Sequence, residues 1–253
     1  MKRIEAADGT EICYWVRRHR DGPSPAVLFV HGAASNHTRW SEFARHTELR
    51  NGYDLILPDM RGNAGSMCRG RLDLDVWCED LVAILDAENC DSAIVVGHSL
   101  GAQIALHLAV SHPQRVRALA LIDPIVRKAL LGRPRRLRRL EPLVKIAILI
   151  LRMLNGLGLQ RRQFPLMDLE ALDAETRKAM RGDHPEEFLV RRYTGTGLIL
   201  EYMPIANYLQ QLVASISPLP ELERISVPTL VLESTGVEVM DRDLSRVELA
   251  RLP

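Results

Sequence analysis

A chain of 253 residues with 47% hydrophobic and 26% charged side chains buries a sizeable core and folds as a soluble globule, as one domain with an insertion or as two small domains. Its 33 Lys and Arg nearly balance 32 Asp and Glu, and a formal net charge of +1 excludes any global attraction to nucleic acid or membrane. Cys13, Cys68, Cys78 and Cys90 lack C-x-x-C spacing, which argues against a zinc site or a disulfide framework and for a reducing compartment. Met1–Glu5 opens no signal-peptide core and no apolar run reaches membrane-span length, so the expected location is the cytoplasm.

Taken in order, Lys2–Ala6 and Glu11–Val16 flank Asp8-Gly9, a hairpin signal. Ala26–Val30 is a continuous apolar run, as in a strand buried on both faces, and it ends in His31-Gly32-Ala33-Ala34-Ser35-Asn36. Trp40–Leu49 reads as a helix with Trp40, Phe43 and Ala44 at i, i+3 and i+4. Tyr53–Leu57 reads as a strand, followed by the glycine-bearing loop Pro58–Ser66. Val76–Glu88 is an amphipathic helix, and Ser92–Val96 and Val116–Ile122 are further strands, the second stopped by Asp123-Pro124. Alternating strands and helices predict a mostly parallel, doubly wound sheet. Such sheets bind ligands beyond the carboxyl ends of their strands, where His31-Gly32, Asp59–Ser66, Ser99 and Asp123 all fall.

The most informative stretch is Ile94–Gly101. A buried strand runs into Gly97-x-Ser99-x-Gly101, and Ala102–Val110 continues as a helix. A serine on so sharp a strand-to-helix turn is presented above the sheet, with the next N–H, that of Leu100, aimed at whatever it attacks. The helix N-terminus favours the negative charge that develops in acyl transfer. The bland alternative is a glycine-rich turn with an idle serine.

Three segments together resemble the α/β-hydrolase superfamily, in its helically capped serine hydrolase or esterase-like branch: Val30–Ala33 with Asn36 and Trp40, Pro58–Ser66, and Gly97–Gly101. The resemblance covers residues 1–124 and, more loosely, 217–251. It implies a core of residues 1–124 and 217–253 and a helical cap, 125–216, inserted after strand six. Within the insertion the helical patterns are Pro142–Leu154, Asp168–Met180, Pro185–Tyr193 and Ile199–Ala214. Val227–Glu233 then reads as strand seven and Asp243–Leu252 as a helix.

By the family pattern Ser99 is the nucleophile, the N–H groups of Leu100 and Ala33 form the oxyanion hole, and His31, Gly32 and His98 border the substrate. The acid follows strand seven or six: Asp241 ranks first, then Glu238, then Asp123, each with the alternative of capping the next helix. The family's histidine follows an eighth strand, yet none of the eight histidines here follows His184, so that strand and its histidine are expected to be missing. Neither His37 nor His184 is an obvious substitute, His184 falling in the polar turn Gly182–Pro185.

The expected function is hydrolysis of a small-molecule carboxylic ester or related acyl bond, with no metal, no organic cofactor and no nucleic-acid partner. The alternative is a catalytically impaired or non-catalytic ligand-binding protein of the same fold. Over 127–162 eleven Lys or Arg face the single acid Glu141; membrane contact through this basic cap is weighed against, and ranked below, an ordinary solvated basic face on a buried helix. Without an eighth strand, Thr229–Glu233 forms an apolar sheet edge, for which self-association is expected.

Overall fold

In the computed structural model the described residues are 1–20, 22, 24–159, 161, 163–179, 181, 199–234 and 240–253, with the backbone alone for Arg133, Pro134 and Leu137. The chain begins with a hairpin of β1 (Lys2–Glu5) and β2 (Glu11–Arg17), in which Ile4 stands opposite Ile12. Asp8 accepts the Thr10 N–H at 3.1 Å and Gly9 takes φ +79°, a left-handed conformation that costs glycine little. The strands β3 (Ala26–Val30), β4 (Asp54–Pro58), β5 (Ala93–His98), β6 (Val116–Ile122) and β7 (Thr229–Leu232) follow. All seven make one sheet in the order β1-β2-β4-β3-β5-β6-β7, antiparallel at β1/β2 and β2/β4 and parallel elsewhere. The expected mostly parallel α/β sheet is therefore present, with seven strands among the described residues.

Every residue of β3 and β4 is buried, as continuous apolar runs require in a sheet covered on both faces. Alternation divides them: Leu28, Val30 and Ile56 join Trp77, Leu81 and Ile104 on one face, while Val27, Phe29, Leu55 and Leu57 meet Trp40 and Ala44 on the other. The crossovers are α1 (Thr38–His46), α2 (Leu74–Ala87) and α3 (Leu100–Ser111). Asp73 starts α2 by accepting the Val76 N–H at 3.0 Å. Phe43 shares the α1 stripe but remains 47% exposed, its ring tilted against Phe29 with 5.7 Å between centroids.

Between β6 and β7 lie α4 (Gly132–Gly156), α5 (Leu169–Ala179) and α6 (Ile205–Ser215), and α7 (Arg242–Leu249) follows β7. The helix expected to open at Pro142 instead begins at Gly132 and carries that proline inside it. The one expected from Ile199 is shortened to start after Pro204. The expected helix at 185–193 lies outside the described residues. Nor is α4 the buried helix of the sequence reading: Leu143, Ile146, Leu149, Ile150, Met153 and Leu154 are exposed. At the far border of the sheet, Leu230 and Leu232 of β7 are also exposed.

Two buried ionic clusters fasten the N-terminal hairpin to this core. Glu88, just beyond α2, accepts from the Tyr14 hydroxyl at 2.6 Å and from Lys2 Nζ at 2.9 Å, and it also pairs with Arg18, which bridges to Asp54. Arg61, after β4, grips Asp80 of α2 with two parallel bonds of 2.8 and 2.6 Å and also meets Asp8 and Thr10 of the hairpin turn. Asp80 is 2% exposed, so its removal strands a guanidinium in a desolvated site where only the more exposed Asp8 still balances it. We expect Asp80→Ala to lower the unfolding free energy by about 3 kcal/mol. A loss under about 1 kcal/mol in urea titration would show that Asp8 and solvent compensate.

Candidate active site

The turn between β5 and α3 is set by backbone contact. Ser99 sits at φ +53° and ψ −115°, outside the regions an L-residue prefers, and its N–H donates to Ile122 O at 2.9 Å. A methyl group added to Gly97 would overlap the Gly101 carbonyl; one added to Gly101 would overlap the Val30 carbonyl and lie 2.8 Å from His31 O. No side chain fits at either glycine. The result is a half-buried serine whose hydroxyl makes no hydrogen bond among the described residues, at the positive end of α3. Leu100 is the first residue of that helix, so its N–H has no intrahelical partner and faces outward from the helix end.

The loop after β3 closes over the turn. A methyl on Gly32 would stand 3.2 Å from His98 Nδ1 and 3.4 Å from Ser99 Cβ, so Gly32 lies directly against the serine. The next residue, Ala34, has φ +49° and is fixed by its N–H donating to Gln211 Oε1 at 2.7 Å. Gln211 in turn donates from Nε2 to Asn63 Oδ1 at 3.1 Å. On the same face of α6, Asn207 donates to Gly62 O at 3.1 Å and to Cys68 O at 2.7 Å, and Gln210 accepts the Leu72 N–H at 3.0 Å. One helix of the insertion thus clamps the loops after β3 and β4. Sequence reasoning passed over these three amides, although buried polar positions recurring at i, i+3 and i+4 on an otherwise apolar stripe are the signal that could have found them.

His31 is 1% exposed and serves as a brace, so it is displaced from the expected substrate border. Its Nδ1–H donates to Gly32 O at 2.8 Å and its Nε2 accepts the Met60 N–H at 3.0 Å, joining the ends of β3 and β4. Burial pushes its pKa down to about 4, so the ring is neutral at pH 7, as this bonding pattern requires. His37 is likewise engaged: Nδ1 lies 2.8 Å from Asp59 Oδ1 and the ring stacks on Trp15 at 3.4 Å.

Ser99 opens into a cavity of about 190 Å³ lined by His98, Asp123, Pro124, Ile125, Glu233, Ser234, Met240, Arg242 and Ser245. Burial lowers the pKa of His98 as well, keeping its ring neutral. Asp123, at the end of β6, has φ +48°, and its Oδ1 accepts the Ser234 N–H at 2.6 Å. Its own N–H donates to Leu232 O at 2.9 Å, so two strand ends hold one carboxylate beside the serine. Glu233 is engaged by Arg246 at 3.0 Å. Asp241 caps α7 instead, accepting the Leu244 N–H at 3.1 Å, and is not on the cavity wall. Glu238 and His184 lie outside the described residues. A larger cleft of about 670 Å³, between α4, α6 and the N-terminus of α2, shares no lining residue with the cavity at Ser99.

The His31 brace has a pH signature. A histidine whose folded pKa is about 4 and whose unfolded pKa is 6.5 binds more protons when unfolded. Its stabilisation is complete above pH 6.5 and is lost as pH falls toward 4, by about 3 kcal/mol in all. His98 acts in the same direction. Urea midpoints measured from pH 7 down to pH 4 are expected to fall less steeply in His31→Gln than in the parent chain, and equal slopes would refute the assignment.

Comparison with known proteins agrees with this fold. The family model described as alpha/beta hydrolase fold matches residues 25–236. Lipase LipV of Mycobacterium tuberculosis is 37% identical over 109 residues, 42% of this chain and 41% of that protein. The 2-hydroxymuconate semialdehyde hydrolase of a Pseudomonas species is 36% identical over 107 residues, 41% of this chain and 38% of that protein. The match therefore spans about two-fifths of each of these relatives. Among solved structures, the enol-lactonase from Burkholderia xenovorans has a TM-score of 0.67 at 17% identity, covering 99% of this chain and 88% of that one. The esterase from Exiguobacterium antarcticum has a TM-score of 0.65 at 20% identity, covering 99% and 87%. The strained serine turn, the mostly parallel sheet and the match to residues 25–236 make this chain a member of the α/β-hydrolase fold family.

Proposed function

We propose that the chain is a serine hydrolase that cleaves a small-molecule carboxylic ester or a related acyl bond. The observation that carries this reading is the placement of Ser99: an unbonded hydroxyl on a strained turn, at a helix N-terminus, with Gly32 packed against its Cβ and Asp123 in the same cavity. The relatives, a lipase and a hydrolase, and the structural neighbours, an esterase and an enol-lactonase, support hydrolysis.

In this reading Ser99 Oγ attacks the acyl carbon and the N–H groups of Leu100 and Ala33 receive the oxyanion. Collapse of the tetrahedral intermediate expels the alcohol, and water then releases the acid from the acyl-serine. The serine proton passes to a general base in the same cavity, where Asp123 is the carboxylate placed to orient one. Of the described histidines, His98 is the one on the cavity wall. Asp123 takes the acid's role because it faces the cavity, whereas the Asp241 carboxylate is committed to the helix cap. The helices between β6 and β7 act as a cap, with α6 holding the oxyanion loop through Gln211.

Hydrolysis of p-nitrophenyl acetate and butyrate by the parent chain and its Ser99→Ala variant tests the nucleophile. The expected result is a fall in kcat of at least about 10³-fold with retained folding. Equal rates in the two proteins would sink the reading.

The two acids separate by kind of effect. Asp123→Asn keeps the shape and tolerates the left-handed backbone, and is expected to lower kcat by about 10⁴-fold with little change in KM. Asp241→Asn is expected to leave kcat unchanged, because asparagine caps a helix as well as aspartate does, and Asp241→Ala to cost about 1 kcal/mol of stability. The opposite pattern, with activity lost at Asp241 and kept at Asp123, would return the acid to the loop before α7.

A further inference from the structure

The outward face of α4 does not resemble the rest of the surface. At about 100° per residue, Leu143, Ile146, Ile150, Met153 and Leu157 fall within an arc of about 80°, with Leu149 and Leu154 at its borders. These seven side chains are between 38% and 76% exposed. The opposite face, with Val144 and Ile148, packs on α6. Scattered exposed leucines need no explanation, but a continuous apolar stripe about 21 Å long is a contact surface.

The same outward face carries Arg135, Arg136 and Arg139 in the helix's first turns. All three are exposed, and none has a side-chain partner among the described residues. Around them, residues 127–162 hold eleven Lys or Arg against the single acid Glu141. Glu141 is itself neutralised by Arg127 and Lys145, each at 2.8 Å. No helix among the described residues is long and apolar enough to cross a membrane.

We propose that α4 is an interfacial docking helix that lies flat on an anionic lipid surface. The stripe enters the boundary between headgroups and acyl chains, and Arg135, Arg136 and Arg139 engage the acidic headgroups. Charge decides for lipid over a second copy of the chain. Two such faces brought together would set the three unpaired arginines of each partner against each other, whereas an anionic bilayer satisfies the arginines and the aliphatic side chains at once. The inference is independent of the chemistry proposed at Ser99.

The test is co-sedimentation of the full 253-residue chain with vesicles of phosphatidylcholine containing 40% phosphatidylglycerol, and with phosphatidylcholine alone, at about 50 mM and 500 mM NaCl. Binding is expected on the anionic vesicles at low salt and at least tenfold weaker on neutral vesicles or at high salt. The triple variant Arg135→Gln, Arg136→Gln, Arg139→Gln is expected to bind the anionic vesicles on the order of a hundredfold more weakly. Ile146→Ser, Ile150→Ser, Met153→Ser together should abolish binding while leaving the circular dichroism spectrum intact, since all three side chains are exposed. No sedimentation with anionic vesicles at low salt, or binding unchanged in either variant, overturns the proposal. So does a dimer in light scattering that the Ser variant dissociates, combined with absence of vesicle binding.

Discussion

The structure depends on a backbone-to-backbone contact that leaves no room for a Cβ atom. Where α3 departs from β5 it passes so close to the end of β3 that Gly101 touches the Val30 carbonyl and Gly97 touches Gly101. This closeness fixes the strained dihedrals of Ser99. The strain persists because the surroundings over-determine it: the Ser99 N–H is bonded to β6, its carbonyl accepts the Ala102 N–H at 2.9 Å, and the neighbouring strand β3 is buried throughout. Stability of the sheet and presentation of the Ser99 hydroxyl are two results of one packing constraint.

A second layer of control comes from polar groups buried on purpose-shaped surfaces. The loops after β3 and β4 contain their own Asn and Gly turns, but their positions relative to Ser99 are set from outside, by His31 below and by Asn207, Gln210 and Gln211 of α6 above. Each of these side chains satisfies a backbone N–H or carbonyl that would otherwise be desolvated. The helical insertion therefore does more than cover the sheet. Moving α6 would unfasten the Ala34 amide and the Asn63 side chain together, which couples the insertion to the geometry of the loop after β3.

Local signals made much of this legible. Asp8-Gly9 marked its hairpin, the apolar runs marked β3 and β6, and Gly97-x-Ser99-x-Gly101 marked the turn, because each records a constraint acting within a few residues. What escaped depends on partners distant in sequence. Asp123 and Asp241 both follow β-structure and both precede helical segments. Only the sheet register, which sets Asp123 against Ser234 across 111 positions, separates a cavity acid from a helix cap. Pro142 reads as a helix start, yet α4 runs through it, since packing on α6 outweighs the loss of one backbone donor. His31 belongs to a recognisable motif, but its partner Met60 lies 29 residues away, and that bond makes it a brace instead of a wall.

The net charge of +1 conceals a segregated molecule. Residues 127–162 carry about ten positive charges, so the remainder of the chain carries about nine negative ones. Arg39 with Asp173 and Arg45 with Glu170 tie α1 to α5 within that remainder, while the arginines on the outer face of α4 have no such counterpart among the described residues. A globule with so large a charge moment turns in the field of a charged surface even though its total charge exerts almost no pull. In the proposed docking on an anionic surface the basic insertion faces inward, and the exposed stripe of α4 is what arrives first. The electrostatics set the orientation and the apolar stripe supplies the adhesion, so neither the arginines nor the leucines suffice without the other.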